Sequence, residues 1–178
     1  MTDPIQPPEE SEAMKSTALA AALAVALVSP AMAQTATPPS APPVYPPYGR
    51  SVTLAEAKIA VAAAQAEAVK NGWFMVITVV EPNGALVVSE KMDGTQYGSN
   101  DVARRKAETA ANFRRPTLFF QDAVKGGTLN AIFTGALAIE GGELLIVDNR
   151  IIGAIGASGG TGAQDGVVAR AGAAALAK

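Results

Sequence analysis

The residues that do most enzyme chemistry are missing from this chain, and their absence sets its limits. It has no histidine and no cysteine. A Ser-His-Asp triad cannot be built within one copy, and the usual general base near neutral pH is gone. Imidazole and thiolate are both removed as metal ligands, and disulfides are excluded. Three groups of residues still carry chemistry. The first is the corner Gly156-Ala157-Ser158-Gly159-Gly160-Thr161. The backbone N–H groups of Gly156, Gly159 and Gly160 precede a helix start there, which makes a natural anion seat, with hydroxyl donors on Ser158 and Thr161. The plainer account of the same residues is tight packing plus a helix cap. The corner lacks the Walker pattern, so nucleotide phosphate is not expected. The second is Arg114-Arg115 with Phe113, Thr117 and Phe119. Guanidinium groups suit a carboxylate and the aromatic faces suit an apolar ring. The plainer account is a solvated helix end, where arginine favours the helix dipole. The third is Tyr97, whose oxygen is of the type that ligates ferric iron in some haem proteins, although most such residues are loop tyrosines. Asp101, Glu108, Glu140 and Asp165 could bind metal ions, but their spacing specifies no cage, and no metal site is assigned. Met75 and Met92 read as core.

These groups need elements to position them. Thr53-Leu54-Ala55-Glu56 is a capping box, and a helix runs from it to Lys70 with Ala55, Ile59, Ala62, Ala66 and Val69 as its expected apolar face. Asn71-Gly72 stops it. Residues 73–80 and 85–92 form a hairpin about Pro82-Asn83-Gly84. A helix over 101–113 follows, capped by Ser99 or Asn100. Its expected inner face is Val102, Ala103, Ala107, Ala110 and Ala111, with Arg104, Arg105, Lys106 and Glu108 outside. Pro116 ends that helix, and 117–125 reads as a short amphipathic helix. Residues 130–134 are ambiguous, and 137–140 read as a short strand. Residues 144–147 and 151–155 are rich in β-branched residues and flank Asp148-Asn149, which suits a tight turn. Thr161-x-x-Gln164 opens a final helix over 161–178. Strands joined by short turns imply an α+β fold with an antiparallel sheet.

The first fifty residues read differently. Met14-Lys15-Ser16-Thr17 is a short basic start, residues 18–28 an apolar run, and Ala31-Met32-Ala33 an A-x-A cleavage site. Together they form a secretory signal over 14–33 within a leader of 1–33, with cleavage after Ala33. The acidic, proline-bearing residues 1–13 do not resemble its basic region. Residues 34–50 hold three Pro-Pro pairs and read as a proline-rich linker, with Tyr45 and Tyr48 available to dock on the domain. The globular domain is 51–178. The expected location is periplasmic or extracellular, with no membrane span once the signal is removed. Net charge is −2, which gives no pull toward nucleic acid.

Three segments in order carry a family resemblance: MDGTQYGSNDVARRKAETAANFRRPT (92–117), AIEGGELLIVDNRIIGAIGASGG (138–160) and TGAQDGVVARAGAAAL (161–176). They resemble the family named for GlcG and the haem-binding protein HbpS, which also supplies the C-terminal domain of PduO-type adenosyltransferases. The resemblance covers residues 51–178. It implies an antiparallel sheet of about five strands wrapped by helices, in a profilin-like layering, and homo-oligomers. Ala138 and Leu144 stand where members often carry proline. Some members bind haem, so the resemblance implies an exported haem- or tetrapyrrole-binding protein acting as scavenger, buffer or sensor partner. The lack of histidine excludes imidazole ligation and leaves oxygen ligation or packing. Tyr97 is then the first expected ligand, near Arg114-Arg115, with Thr117 the alternative. Two other functions stay open. One is a small-carboxylate-binding protein or enzyme that uses the glycine corner with Asp165 or Lys106 for proton transfer. The other is a non-catalytic oligomeric accessory protein. The sequence names no reaction.

Overall fold

The computed structural model describes residues 45–130 and 135–177. The expected signal peptide, the rest of the expected leader and residues 34–44 of the proline-rich stretch lie outside them. Eight elements follow in the order α1 (Leu54–Lys70), β1 (Val76–Val80), β2 (Leu86–Lys91), α2 (Ser99–Phe113), α3 (Thr117–Lys125), β3 (Gly142–Val147), β4 (Arg150–Ser158) and α4 (Gly162–Ala174). The sheet has four strands in the order β2-β1-β4-β3, every pair antiparallel. The architecture is the expected α+β one, with one strand fewer among the described residues than the expected five or so. Residues 137–140 form no strand. Side chains take their polar partners instead: the Leu137 N–H donates to Thr109 Oγ1 at 3.0 Å, and the Glu140 N–H to Gln121 Oε1 at 3.1 Å.

The central strands explain the layering. Val76–Val80 of β1 is buried throughout, as is β4 from Ile151 to Ser158. Strands buried on both faces need helices on both faces. Ile77, Val79, Ile155 and Ala157 face α1 and α4, while Val80 and Ala154 face Ala107, Ala110 and Ala111 of α2. Gly156 lets α2 lie against the sheet, because a Cβ there would collide with the Ala103 carbonyl and the Ala107 nitrogen. Asp148 and Asn149 both take positive φ, 49° and 55°, as the tight β3–β4 turn requires. Where β1 stops, residues 47–52 run beside β4. Ile151 N–H donates to Pro47 O at 2.9 Å, Gly49 N–H to Ile151 O at 2.8 Å, and Val52 N–H to Ile152 O at 2.7 Å.

Two expected helix features are corrected. α1 keeps both arms of its capping box, but its buried stripe is Ala57, Ala60, Val61, Ala64 and Ala68. Ile59 and Val69, expected inside, are 53% and 66% exposed. Both stripes have helical spacing, and size decides between them. The alanine stripe allows close approach to α4, where a Cβ on Gly172 would meet Ala60 O and Ala64 Cβ. α2 starts at Ser99 after Gly98, with no side-chain cap. Ser99 is turned inward, and the Ser158 hydroxyl donates to its Oγ at 3.2 Å. Among the described residues no helix is long and apolar enough to cross a membrane.

Candidate ligand site

The expected site residues separate into two groups at opposite ends of α2. At its C-terminal end Arg114 takes a left-handed conformation, φ 53°, and its N–H caps the Ala110 and Ala111 carbonyls. The reversal, followed by Pro116, turns Arg115 back over α3. The Arg115 guanidinium carbon lies 4.3 Å from the centre of the Tyr45 ring and 4.1 Å from that of Phe119. Arg114 stands 5.6 Å from the Tyr48 ring and 6.0 Å from Tyr45. Tyr48 fixes the incoming chain, because its hydroxyl donates to Ala111 O at 2.7 Å. Phe113 and Phe119 both meet Phe120 edge-on, at 5.1 and 5.3 Å, and stay 40% and 47% exposed. Arg115 Nε is buried and has no hydrogen-bond partner among the described residues. An orphaned guanidinium N–H costs about 1–3 kcal/mol until an acceptor reaches it. Two guanidiniums, one with a buried and unsatisfied donor, set among aromatic faces suit a flat, apolar molecule that carries carboxylates. The residues present therefore fit a tetrapyrrole with propionates.

Thr117 begins α3 but is fully buried, and its hydroxyl accepts the Gly142 N–H at 2.8 Å. It is a joint between α3 and β3, out of reach of any ring within the protomer. Tyr97 lies at the other end of α2. A helix of this length, 15 residues, spans about 22 Å, so Tyr97 is not near Arg114-Arg115. Its ring is 87% exposed, with Lys91 Nζ 5.6 Å from its centre.

Tyr97 neighbours the glycine corner instead. Gln96 Nε2 donates to Gly159 O at 3.3 Å. Two of the corner's N–H donors are taken by side chains. The Gly160 N–H donates to Asp165 Oδ1 at 3.0 Å, and the Thr161 N–H to Gln164 Oε1 at 2.8 Å. Gly156 packs under α2, and Ser158 is committed to Ser99. The capping box of α4 is thus present, and Asp165 and Gln164 take the Gly160 and Thr161 N–H groups.

One buried group escaped the sequence reading. Lys106, expected on the outside of α2, is fully buried and donates to Asp165 Oδ2 at 2.6 Å and to Ala157 O at 3.1 Å. A sequence signal existed, since position 106 falls on the same stripe as Ala103, Ala107 and Ala110. Gly141 and Gly142 make its path. A Cβ on Gly141 would meet Asp165 Cβ and Lys106 Nζ, and one on Gly142 the Lys106 carbonyl. The ion pair thereby joins α2 on one face of the sheet to α4 on the other. Burial pulls the Lys106 ammonium below its ordinary value, with Asp165 opposing. Nearby, Arg170 donates to Glu140 at 2.9 Å and to Glu143 at 3.4 Å. Burial pushes the Glu143 carboxyl up to about 7 against the pull of Arg170. Among the described residues no group of three acidic side chains is placed to hold a metal ion. A cleft of about 330 Å³ lies apart from both groups, lined by Arg50, Glu56, Ile59, Val147, Asp148 and Leu176.

The family model described as haem degrading protein HbpS-like matches residues 52–174. The chain belongs to this HbpS-like family. Protein GlcG of Escherichia coli strain K12 is 43% identical over 104 residues, which cover 57% of this chain and 77% of that protein. The crystal structure of HbpS superposes with a TM-score of 0.66 at 32% identity, covering 72% of this chain and 92% of that one. A PduOC–haem complex superposes with a TM-score of 0.65 at 25% identity, covering 71% and 95%. The HbpS-like match contains α1 to α4 and the whole sheet. It includes Arg114, Arg115 and Phe119 and begins after Tyr45 and Tyr48.

Proposed function

We propose that this HbpS-like chain is an exported haem- or tetrapyrrole-binding protein acting as scavenger, buffer or sensor partner. The observation that carries the reading is the unpartnered Arg115 Nε inside a cluster of Arg114, Tyr45, Phe113 and Phe119. The family and the haem complex of a structural relative support the same ligand class. Arg114 and Arg115 would hold the propionates, and the exposed faces of Phe113 and Phe119 would cover the ring edge. Bound haem would supply a redox-active iron. The chain contributes no imidazole to it, so a high-spin ferric form is expected. Export rests on the signal over 14–33, and assembly into a homo-oligomer on the family and on the exposed apolar side of α1. The carboxylate reading draws less support, because two N–H groups of the glycine corner are taken by Asp165 and Gln164, and Lys106 and Asp165 hold each other in the interior.

Haem titration of the full chain, followed optically, tests the reading. A Soret band distinct from free haem is expected. Arg115→Ala should weaken binding roughly tenfold, about the worth of one charge-assisted hydrogen bond, without moving the band. A spectrum of free haem alone throughout the titration would overturn it.

A further inference from the structure

We propose that Tyr45, not Tyr97, is the residue whose oxygen would ligate the iron of a haem held at the arginine corner. The inference rests on the haem reading above and adds the ligand to it. Position is the first argument. The Tyr45 ring is stacked on Arg115 and faces Arg114, at 4.3 and 6.0 Å, while Tyr97 sits at the far end of α2. Availability is the second. The Tyr48 hydroxyl is taken by the Ala111 and Asn112 carbonyls, and the Thr117 hydroxyl is held in the interior by Gly142. Among the described residues the Tyr45 hydroxyl has no hydrogen-bond partner.

Preorganisation is the third argument. Pro46 holds Tyr45 in extended backbone, and Pro47 fixes the next φ. The strap is then pinned to β4 through Pro47 O and the Gly49 N–H. Little conformational freedom remains between the anchor and the phenol. Charge is the fourth. Ligation breaks the phenol O–H bond, sends the proton to solvent and forms an oxygen–iron bond in place of water, with the iron ferric before and after. The negative charge then forms on a ring that has two guanidiniums near it, at 4.3 and 6.0 Å from the ring centre, which compensate it.

The experiment is a titration of the full chain with haemin for the wild type, Tyr45→Phe, Tyr48→Phe and Tyr97→Phe. Circular dichroism checks that each variant folds. The wild type should show a phenolate-to-iron charge-transfer band in resonance Raman. Tyr45→Phe should abolish that band and weaken binding about tenfold, while Tyr97→Phe should keep both. Tyr48→Phe should keep the band, since it removes an anchor and leaves the phenol. A wild-type band that survives Tyr45→Phe, or one lost with Tyr97→Phe, overturns the assignment and leaves haem binding standing. No binding by the wild type instead overturns the haem reading beneath it.

Discussion

Lys106 and Asp165 show how much one residue pair can decide. Each is taken out of water, and each is acceptable only because the other is 2.6 Å away. Lys106→Met should cost ~3–5 kcal/mol in urea unfolding, because it strands the Asp165 carboxylate in the interior. Lys106→Met combined with Asp165→Leu should recover most of that loss. Equal losses in the single and double variants would show that the pair is not coupled. Glu143 makes a different kind of residue-scale prediction. Its carboxyl is raised by burial from 4.5 to about 7; Arg170, already bonded more closely to Glu140, opposes the shift. The folded chain keeps a proton that the unfolded chain has released. Stability should therefore fall as pH rises from about 4.5 to about 7 and stay low above that. Glu143→Gln should flatten this part of a melting-temperature profile. An unchanged slope would mean that Glu143 ionises normally in the folded chain.

Elements were legible where local chemistry fixes them. Both capping boxes, the Asp148-Asn149 turn and the bounds of α3 follow from side chains acting on their own backbone. What could not be read were choices made by partners distant in sequence. α1 carries two apolar stripes of helical spacing, and close packing against Gly172 of α4 and the sheet goes with the smaller one. The strand expected at 137–140 is lost because Thr109 and Gln121 satisfy its backbone. The candidate site was half legible. Arg114, Arg115, Phe113 and Phe119 do cluster, but Tyr45 reaches them through a strap bound to β4, and Tyr97 is carried away by the length of α2. The α2–β4 contact gives the element-scale test. Gly156→Ala sets a methyl against the Ala103 and Ala107 backbones, where no side chain can rotate away. It should lower stability by ~1–3 kcal/mol or more in denaturant titration. A neutral effect would show that α2 shifts freely on the sheet.

At the scale of the whole molecule, the outer side of α1 is an exposed apolar surface that the fold does not use. Leu54, Ile59 and Val69 are each more than half exposed along one helix. This suits contact with a second copy. Light scattering should show an oligomer at micromolar concentration, and Ile59→Glu should drive it toward monomer with the melting behaviour of the isolated fold retained. A wild type that is already monomeric would count against the contact. The strand order has a consequence in time as well as in space. β4 is the next-to-last element made, yet it is the strand that joins β1, β3 and the 47–52 strap. α1 and α2 pack on opposite faces of the first hairpin, but each core is completed only by Ile152, Ile155 and Ala157 or by Ala154 of β4. Such long-range pairing folds slowly and late. A ribosome must therefore release Arg150–Ser158 and the helix behind it before the sheet can close. Until then the sheet lacks its central strand, and an unclosed sheet is easier to draw out into the extended form that a polypeptide needs to pass a narrow membrane pore.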